Sequence, residues 1–311
     1  MATSNSTNYT RTARQIIKSA LRLLGVIQSG EEPTAAEIQD GLEAFEIMVK
    51  TFQAQGYHLW TYAEATLFLT ASTVSYSLTG ARAVSSFVQT ASSADASSTD
   101  LTIDVDSISG IADGDVLGIV TSSTAIHWTT VDGAPAGSTI TFDDALTVDV
   151  SSGAVVYAYT AADDLTGRPL RVESVRRRDS GNIDTPLGEM AREEYFDLPN
   201  KTNTGVPVEF YYDPGRDTGT LYIWPAPTTI TQTLKFTYLR ALEDIDAITN
   251  NMDFPQEWLE TLKYQLAVRL APEYGVAVRP DIAGMAGVLL DTMMGWDTEP
   301  TSVMFQPDRG W

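Results

Sequence analysis

The sequence contains no cysteine, which excludes a disulfide framework and any thiolate metal site, and its two histidines leave little to build a zinc centre. No apolar run approaches the roughly 20 residues that a membrane-spanning helix needs. The first residues, MATSNSTNYTRTARQ, lack the charged-then-apolar build of a secretory signal, so a cytoplasm is the expected compartment and the sequons at Asn5 and Asn8 carry no meaning there. Neither GxGxxG nor GxxxxGK[ST] occurs, so no Gly-rich phosphate loop is expected. The most telling absence is local. Between Ser85 and Leu165 there is no lysine, no arginine and no glutamate, while twelve aspartates fall in the same stretch.

Across all 311 residues the formal net charge is −21. Gripping a phosphate backbone over a whole surface takes clustered Lys and Arg, so that mode is excluded. Two readings of the charge stay open: an acidic surface that keeps the chain dissolved, and a wall past which a duplex slides without sticking.

With 43% apolar residues, the chain has enough for one large core or two modest ones. Ile16, Ile17, Ala20, Leu21, Leu23 and Leu24 share a broad face of a helix over 11–26, which Gly25 stops. The segment PTAAEIQDGLEAFEIMVKTFQAQG predicts a second helix: Thr34 and Glu37 form a capping box, and Ile38, Leu42, Phe45, Val49 and Phe52 follow at four- and three-residue steps up to Gly56. Beyond the aromatic cluster of Tyr57, His58, Trp60 and Tyr62, alternating runs such as ATLFL and TVSYSL read as strands. DLTIDV, DVLGIV, AIHWTTV, STITF and AVVYAYT, separated by Gly, Asp and Pro turns, predict a small β-subdomain of five or six strands over the Asp-rich stretch.

The sign of charge then reverses at GRPLRVESVRRR, where Arg168, Arg171, Arg176, Arg177 and Arg178 fall within eleven residues. Strands resume at PVEFYYD, GTLYIWPAP and QTLKFTYLR. Helices return in DFPQEWLETLKYQLAVRLAPEYG, with Pro255 in a first turn, and from about Pro280 to Trp296. The last stretch, DTEPTSVMFQPDRGW, has two prolines and no period, and reads as an extended arm. Neither helical pair can bury its apolar faces alone, so the two ends of the chain must pack together. The expected fold is therefore α+β: a discontinuous α-helical core from 1–63 and 251–296, a β-rich middle domain over 64–250 carrying the inserted β-subdomain at 85–165, and an arm at 297–311.

Candidate chemistry is thin. Neither histidine adjoins a nucleophile-elbow sequence; His127, in AIHWTTV, reads as a surface or inter-subunit residue and His58 as packed among aromatics. Glu193 with Glu194, or Glu257 with Glu260, could serve as the acid and nucleophile of a glycoside hydrolase. Helix-start electrostatics accounts for Glu257 and Glu260 without catalysis. Asp104, Asp106, Asp113 and Asp115 raise calcium, but the EF-hand spacing breaks at Ile108 and its glutamate is missing, which leaves solvated turn aspartates. The arginines are suited to bidentate pairing with carboxylates or phosphates. Contact with an acidic partner or an identical neighbour is the first reading for them, solvated strand charge the second and DNA the third.

Taken in order, ALRLLGV, GEEPTAAEIQDGLEAFEIMVKTFQAQGYHLW, the DVLGIV and IHWTTV pair, RPLRVESVRRR, EEYFDLPNKTNTGVPVEFYYDP, LYIWPAP and DFPQEWLETLKYQLAVRLAPEYGV resemble the head-to-tail adaptors of short-tailed bacteriophages (podoviruses), also described as head-completion, packaged-DNA stabilisation or tail accessory factors. The resemblance implies a structural virion protein and not an enzyme, with no cofactor and no metal. It implies identical subunits in a ring, usually twelve, which docks on the portal protein, extends the DNA channel and connects to a tail nozzle or tail tube protein. Packaged DNA would pass through the lumen without sequence-specific binding, no membrane would be involved, and the site would be the head-tail junction of a virion assembled in the host bacterial cytoplasm. Compared with the smallest adaptors this chain carries the extra Asp-rich insert, so the implication for the helices does not extend to 85–165. On this reading Val303, Met304, Phe305 and Trp311 of the arm would anchor it to the portal or a neighbour. Two other classes stay open: a tail-fibre or receptor-binding module, from the Ser/Thr/Asp composition of the insert, and a cell-wall glycoside hydrolase.

Overall fold

The computed structural model describes residue 5 and residues 8–56, 59–122 and 124–296. The helices among them are α1 (Ala13–Leu24), α2 (Ala35–Gln55), α3 (Arg192–Asp197), α4 (Leu259–Leu270) and α5 (Pro280–Trp296). The chain divides into two units, one formed by the described residues of Met1–Thr61 and Leu242–Trp311, the other by Tyr62–Ala241.

The first unit is helical. Gly25 and Gly56 end α1 and α2 in the left-handed region, at φ 75 and 83, where a side chain would be strained. The capping box of α2 is complete: Glu37 N–H donates to Thr34 Oγ1 at 3.3 Å and Thr34 N–H to a Glu37 carboxylate oxygen at 2.7 Å. Ile16, Ile17, Ala20 and Leu21 of α1 pack with Ile38, Phe45, Met48, Val49 and Phe52 of α2 and with Leu262, Leu266 and Leu270 of α4. Gly41 lets α1 and α2 approach closely, since an added Cβ there would lie 2.5 Å from Ile17 Cγ2. Trp258 is wholly buried at the centre, its ring 5.5 Å from Trp60 and 6.1 Å from Phe52. Pro255 falls just outside the first turn expected for it: it precedes a 3-10 turn, Gln256–Trp258, that leads into α4. Residues 242–250 lie with the helices, because Leu242 and Ile245 are buried in this core; the Lys50 ammonium holds the Leu242 carbonyl at 3.2 Å and pairs with Asp244.

The second unit opens with β1 (Tyr62–Phe68), β2 (Ser75–Ser77) and β3 (Gly80–Val84). The Asp-rich stretch then supplies β4 (Val88–Ala91), β5 (Thr102–Asp104), β6 (Val116–Ser122), β7 (Ala125–Thr130), β8 (Thr139–Thr141) and β9 (Val155–Tyr159). After it come β10 (Asp164–Leu165), β11 (Arg171–Arg178), β12 (Asp184–Pro186), β13 (Gly188–Glu189), β14 (Thr204–Gly205), β15 (Glu209–Asp213), β16 (Thr220–Trp224), β17 (Ala226–Pro227) and β18 (Thr233–Leu239). The carrier is a six-stranded antiparallel sheet ordered β10-β3-β1-β18-β11-β12, with a second sheet, β13-β15-β16-β2, sharing its core of Leu67, Leu234, Phe236, Phe210, Leu221 and Ile223. A discontinuous α-helical core drawn from both chain ends, with a β-rich middle that carries an inserted β-subdomain, is thus the observed α+β architecture.

The insert has its own core, in which Ile103, Leu117, Ile119, Ile140, Phe142, Val150 and Val156 are buried between the sheet β4-β9-β6-β7 and the ladder β5-β8. At its base Phe68 and Val84 of the carrier meet Tyr157 and Tyr159. Trp128 lies there between two neighbours. One is Gly118, its cross-strand partner; the other is Arg82, whose guanidinium sits 3.9 Å from the ring centroid.

The insert uses aspartate for a geometric reason. The Asp95, Asp100, Asp113, Asp115 and Asp149 carboxylates accept backbone N–H bonds from Ser152, Ser97, Gly133, Ala112 and Ser98, at 2.7 to 2.9 Å. A one-methylene side chain reaches a turn amide that glutamate would overshoot. Asp104 accepts from the Thr139 hydroxyl. Asp100 and Asp115 close local turns while Asp95, Asp113 and Asp149 tie separate loops together, and among the described residues no three His, Asp or Glu side chains gather as a metal ion would require.

Candidate functional site

The arginine segment forms β11, which pairs with β18 on one side and β12 on the other. A bulge between Val172 and Ser174 resets its alternation, so that Val172 and Val175 both reach the core while Arg176 and Arg178 fall on the outer face. On that face Glu64 of β1 stands between two cations: one carboxylate oxygen is 3.1 Å from Arg176 Nη2 and the other 3.1 Å from Lys235 Nζ. Arg178 grips Asp184 of β12 with two parallel bonds of 2.7 Å. Arg177 faces the other way and donates to the Pro207 carbonyl at 3.0 Å, and Arg168 donates to the Pro214 carbonyl at 3.1 Å. Arg171, with its side chain 66% exposed, reaches Glu173 at 3.1 Å.

Electrostatics follows this geometry. Burial pushes the Glu64 carboxyl up, but the bonds and charges of Lys235 and Arg176 outweigh it and leave the group below its ordinary pKa. The Arg178 bond lowers Asp184, and Asp184 raises Arg178 in return. The five arginines are therefore spread across the carrier and joined to different acceptors. Arg176 and Arg178 share one face, and Arg168, Arg171 and Arg177 hold other parts of the unit.

The remaining candidates have local duties. Glu194 caps α3 by accepting the Ala191 N–H at 2.7 Å, and Glu193 is exposed beside it. Glu257 accepts from the Gln256 amide at 3.3 Å and, with Glu260, lines an open groove of about 590 Å³ between α1 and the start of α4. His127 donates from Nε2 to the Asp144 carbonyl at 2.9 Å beside Phe142. His58 and the arm residues Val303, Met304, Phe305 and Trp311 lie outside the described residues.

Sequence reasoning missed the acidic partners Glu64 and Asp184. Asp184 was within reach of inspection, since RRRDSGNID is a hairpin in which Asp179 accepts the Gly181 and Ile183 N–H groups at 2.8 and 2.9 Å. Glu64 was not, because only the register of β1 on β18 on β11 brings it to Arg176. No helix among the described residues is long and apolar enough to cross a membrane.

Residues 138–286 match the family model described as SU10 adaptor protein, just under half of the chain. The match runs from the last third of the insert through the arginine-bearing sheet to the start of α5, and leaves out α1 and α2. It supports a phage adaptor family, and so a structural component of a virion, working by contact with other head or tail proteins and not by catalysis. No curated protein matches. Among solved structures, the Gp54 tailspike of Acinetobacter baumannii bacteriophage AP22, in complex with A. baumannii capsular saccharide, is similar at 18% identity and a TM-score of 0.21. That similarity spans 24% of this chain and 15% of the tailspike chain, and carries no argument about this one.

Proposed function

We propose that the chain is a head-to-tail adaptor of a short-tailed phage: copies form a ring on the portal, extend its DNA channel and receive the tail nozzle. The family match across the sheet and into the C-terminal helices carries this reading. A net charge of −21 fits a wall past which packaged duplex slides. In this arrangement Val303, Met304, Phe305 and Trp311 seat on the portal or a neighbouring copy. Of the arginine cluster, Arg171, with its side chain 66% exposed, faces an acidic neighbour.

Electron microscopy of the purified chain mixed with portal tests it. A ring coaxial with the portal is expected, and removal of residues 297–311 is expected to abolish attachment. Trimeric rods, or copies bound off the axis, would refute the adaptor reading.

A further inference from the structure

The helical unit segregates its charge by sign. Arg14, Lys18 and Arg22 of α1 recur at steps of four, which places them within about 80° of arc on one face at 100° per residue, and Arg11, ahead of the helix, lines a shallow groove with Lys18 and Arg22. The helix ARQIIKSALRLL has no acidic residue. On α2 the order is opposite. Glu37, Asp40, Glu43 and Glu46 follow at steps of three, which winds them through about 180° of arc; the exposed pair, Asp40 and Glu43, lie about 60° apart, and the one cation of that helix, Lys50, is turned to Asp244 and the Leu242 carbonyl.

These charges are only partly matched inside the chain. Arg11 meets the hydroxyls of Tyr9 and Ser19, Arg22 that of Ser29, and Arg14 and Lys18 share the single carboxylate of Glu32. Asp40 and Glu43 are exposed, and no described cation comes within ion-pair distance of either. On the same side of the helix, one turn beyond Glu43, stands the apolar Ile47, 58% exposed. The cationic face in turn borders the groove beside α4, where Ile16, Leu23 and Leu259 line the wall with Arg22 and Lys263, and Glu257 and Glu260 stand on the α4 side.

We infer that the α1 face of one copy receives the α2 face of the next, the cations of α1 meeting the exposed Asp40 and Glu43, with Ile47 directed at the apolar wall of the groove, Ile16, Leu23 and Leu259. The occupant is a second copy of this chain. The two faces are different patches of one protomer, so a contact of one with the other is head-to-tail, the kind that propagates in one direction and closes a ring when the rotation allows. This pairing rests on the ring reading above. Copies of charge −21 repel at long range, so association should peak at a salt concentration that screens the far field and spares the contact. The Debye length is about 10 Å at 0.1 M and about 3 Å at 1 M.

Sedimentation of the full chain at 0.1 M and 1 M salt tests the pairing, using Arg14→Glu with Arg22→Glu on α1 and Asp40→Lys with Glu43→Lys on α2. Self-association at 0.1 M is expected to weaken about tenfold or more at 1 M. Each reversal alone should weaken it to the same degree, whereas the chain carrying both reversals, or a mixture of the two single-helix variants, should regain it. A wild-type chain that stays monomeric at both salts, or association indifferent to the reversals, overturns the pairing. Portal-bound rings viewed in the same variants separate the two ideas: rings intact in both reversals sink the pairing and leave the adaptor reading standing, while no ring even with the wild-type chain sinks the adaptor.

Discussion

Replacing Gly118 by alanine should destabilise the insert at one point, and the size of the effect follows from what surrounds Trp128. Gly118 is buried on β6, and a Cβ added there would lie 2.5, 2.7 and 2.8 Å from Cζ3, Cη2 and Cε3 of the Trp128 ring. The ring has nowhere to withdraw. Arg82 is stacked at 3.9 Å from its centroid, Phe68 meets it edge-on at 5.2 Å, and Tyr159 lies 6.0 Å away. Forcing a methyl into such a site costs about 1–3 kcal/mol. Against this, alanine restricts the unfolded chain, worth about 0.4–1 kcal/mol. The expected net loss is about 1–2 kcal/mol, confined to the insert and its base. Hydrogen exchange of the β6 and β7 amides, followed segment by segment, reads this without treating the whole chain as two-state. In a Trp128→Ala background the same substitution should become neutral or stabilising, because the clash has gone. Protection unchanged in Gly118→Ala, or a loss equally large with Trp128 absent, would refute the account of this junction.

Tyr76 is 8% exposed, and its hydroxyl donates to the Thr70 carbonyl at 2.9 Å while accepting the Thr70 N–H at 3.1 Å. Burial pushes its phenol up to about 12, so it remains a neutral donor at any ordinary pH. Tyr76→Phe should cost about 0.5–1.5 kcal/mol by removing the partner of the Thr70 N–H, while the Thr70 carbonyl keeps the Thr73 N–H at 3.3 Å, measured by denaturant unfolding of the β-unit; a loss within error of zero would contradict that role. Asp184 and Glu64 are both held below their ordinary pKa, so their contribution to the folded sheet is complete above that range and disappears as pH falls through the lowered values. Amide NMR signals of β11 and β12 should therefore hold steady from neutrality into the acid range and shift only below the usual carboxylate titration. In Asp184→Asn the β12 part of that shift should vanish, and its persistence would count against the pair.

The helices were legible in sequence because local signals agreed: the Thr34 and Glu37 box, the stop at Gly56 and the spacing from Ile38 to Phe52 each point to one element. The insert was legible as strands for a similar reason, with short alternating runs between Gly and Asp turns. Its aspartates read as turn residues rather than ion ligands, and Asp100 does close a local turn, but Asp149 and Asp113 bond amides 51 and 20 residues away, contacts that the sequence does not display. What could not be read were pairings made at a distance. β10, β13 and β14 are two residues long and exist only because a neighbour is present. Leu242 and Ile245 belong to the helical core although ALEDIDAITNN forms no helix. The arginine cluster looked like one patch in sequence, yet a bulge and strand alternation divide it between faces.

The insert leaves and re-enters the carrier at adjacent points: Ser85 N–H donates to the Asp163 carbonyl at 2.8 Å, and Val84 faces Asp164 across β3 and β10. Topologically, the carrier sees only a hairpin, whatever occupies the loop. Such a socket can accept cargo of any length whose ends meet, so lineages could lengthen, exchange or discard this module without rethreading the sheet beneath it. The constraint is the apolar lid at the rim. Phe68 and Val84 are covered by Tyr157 and Tyr159, and any replacement must bring its own cover.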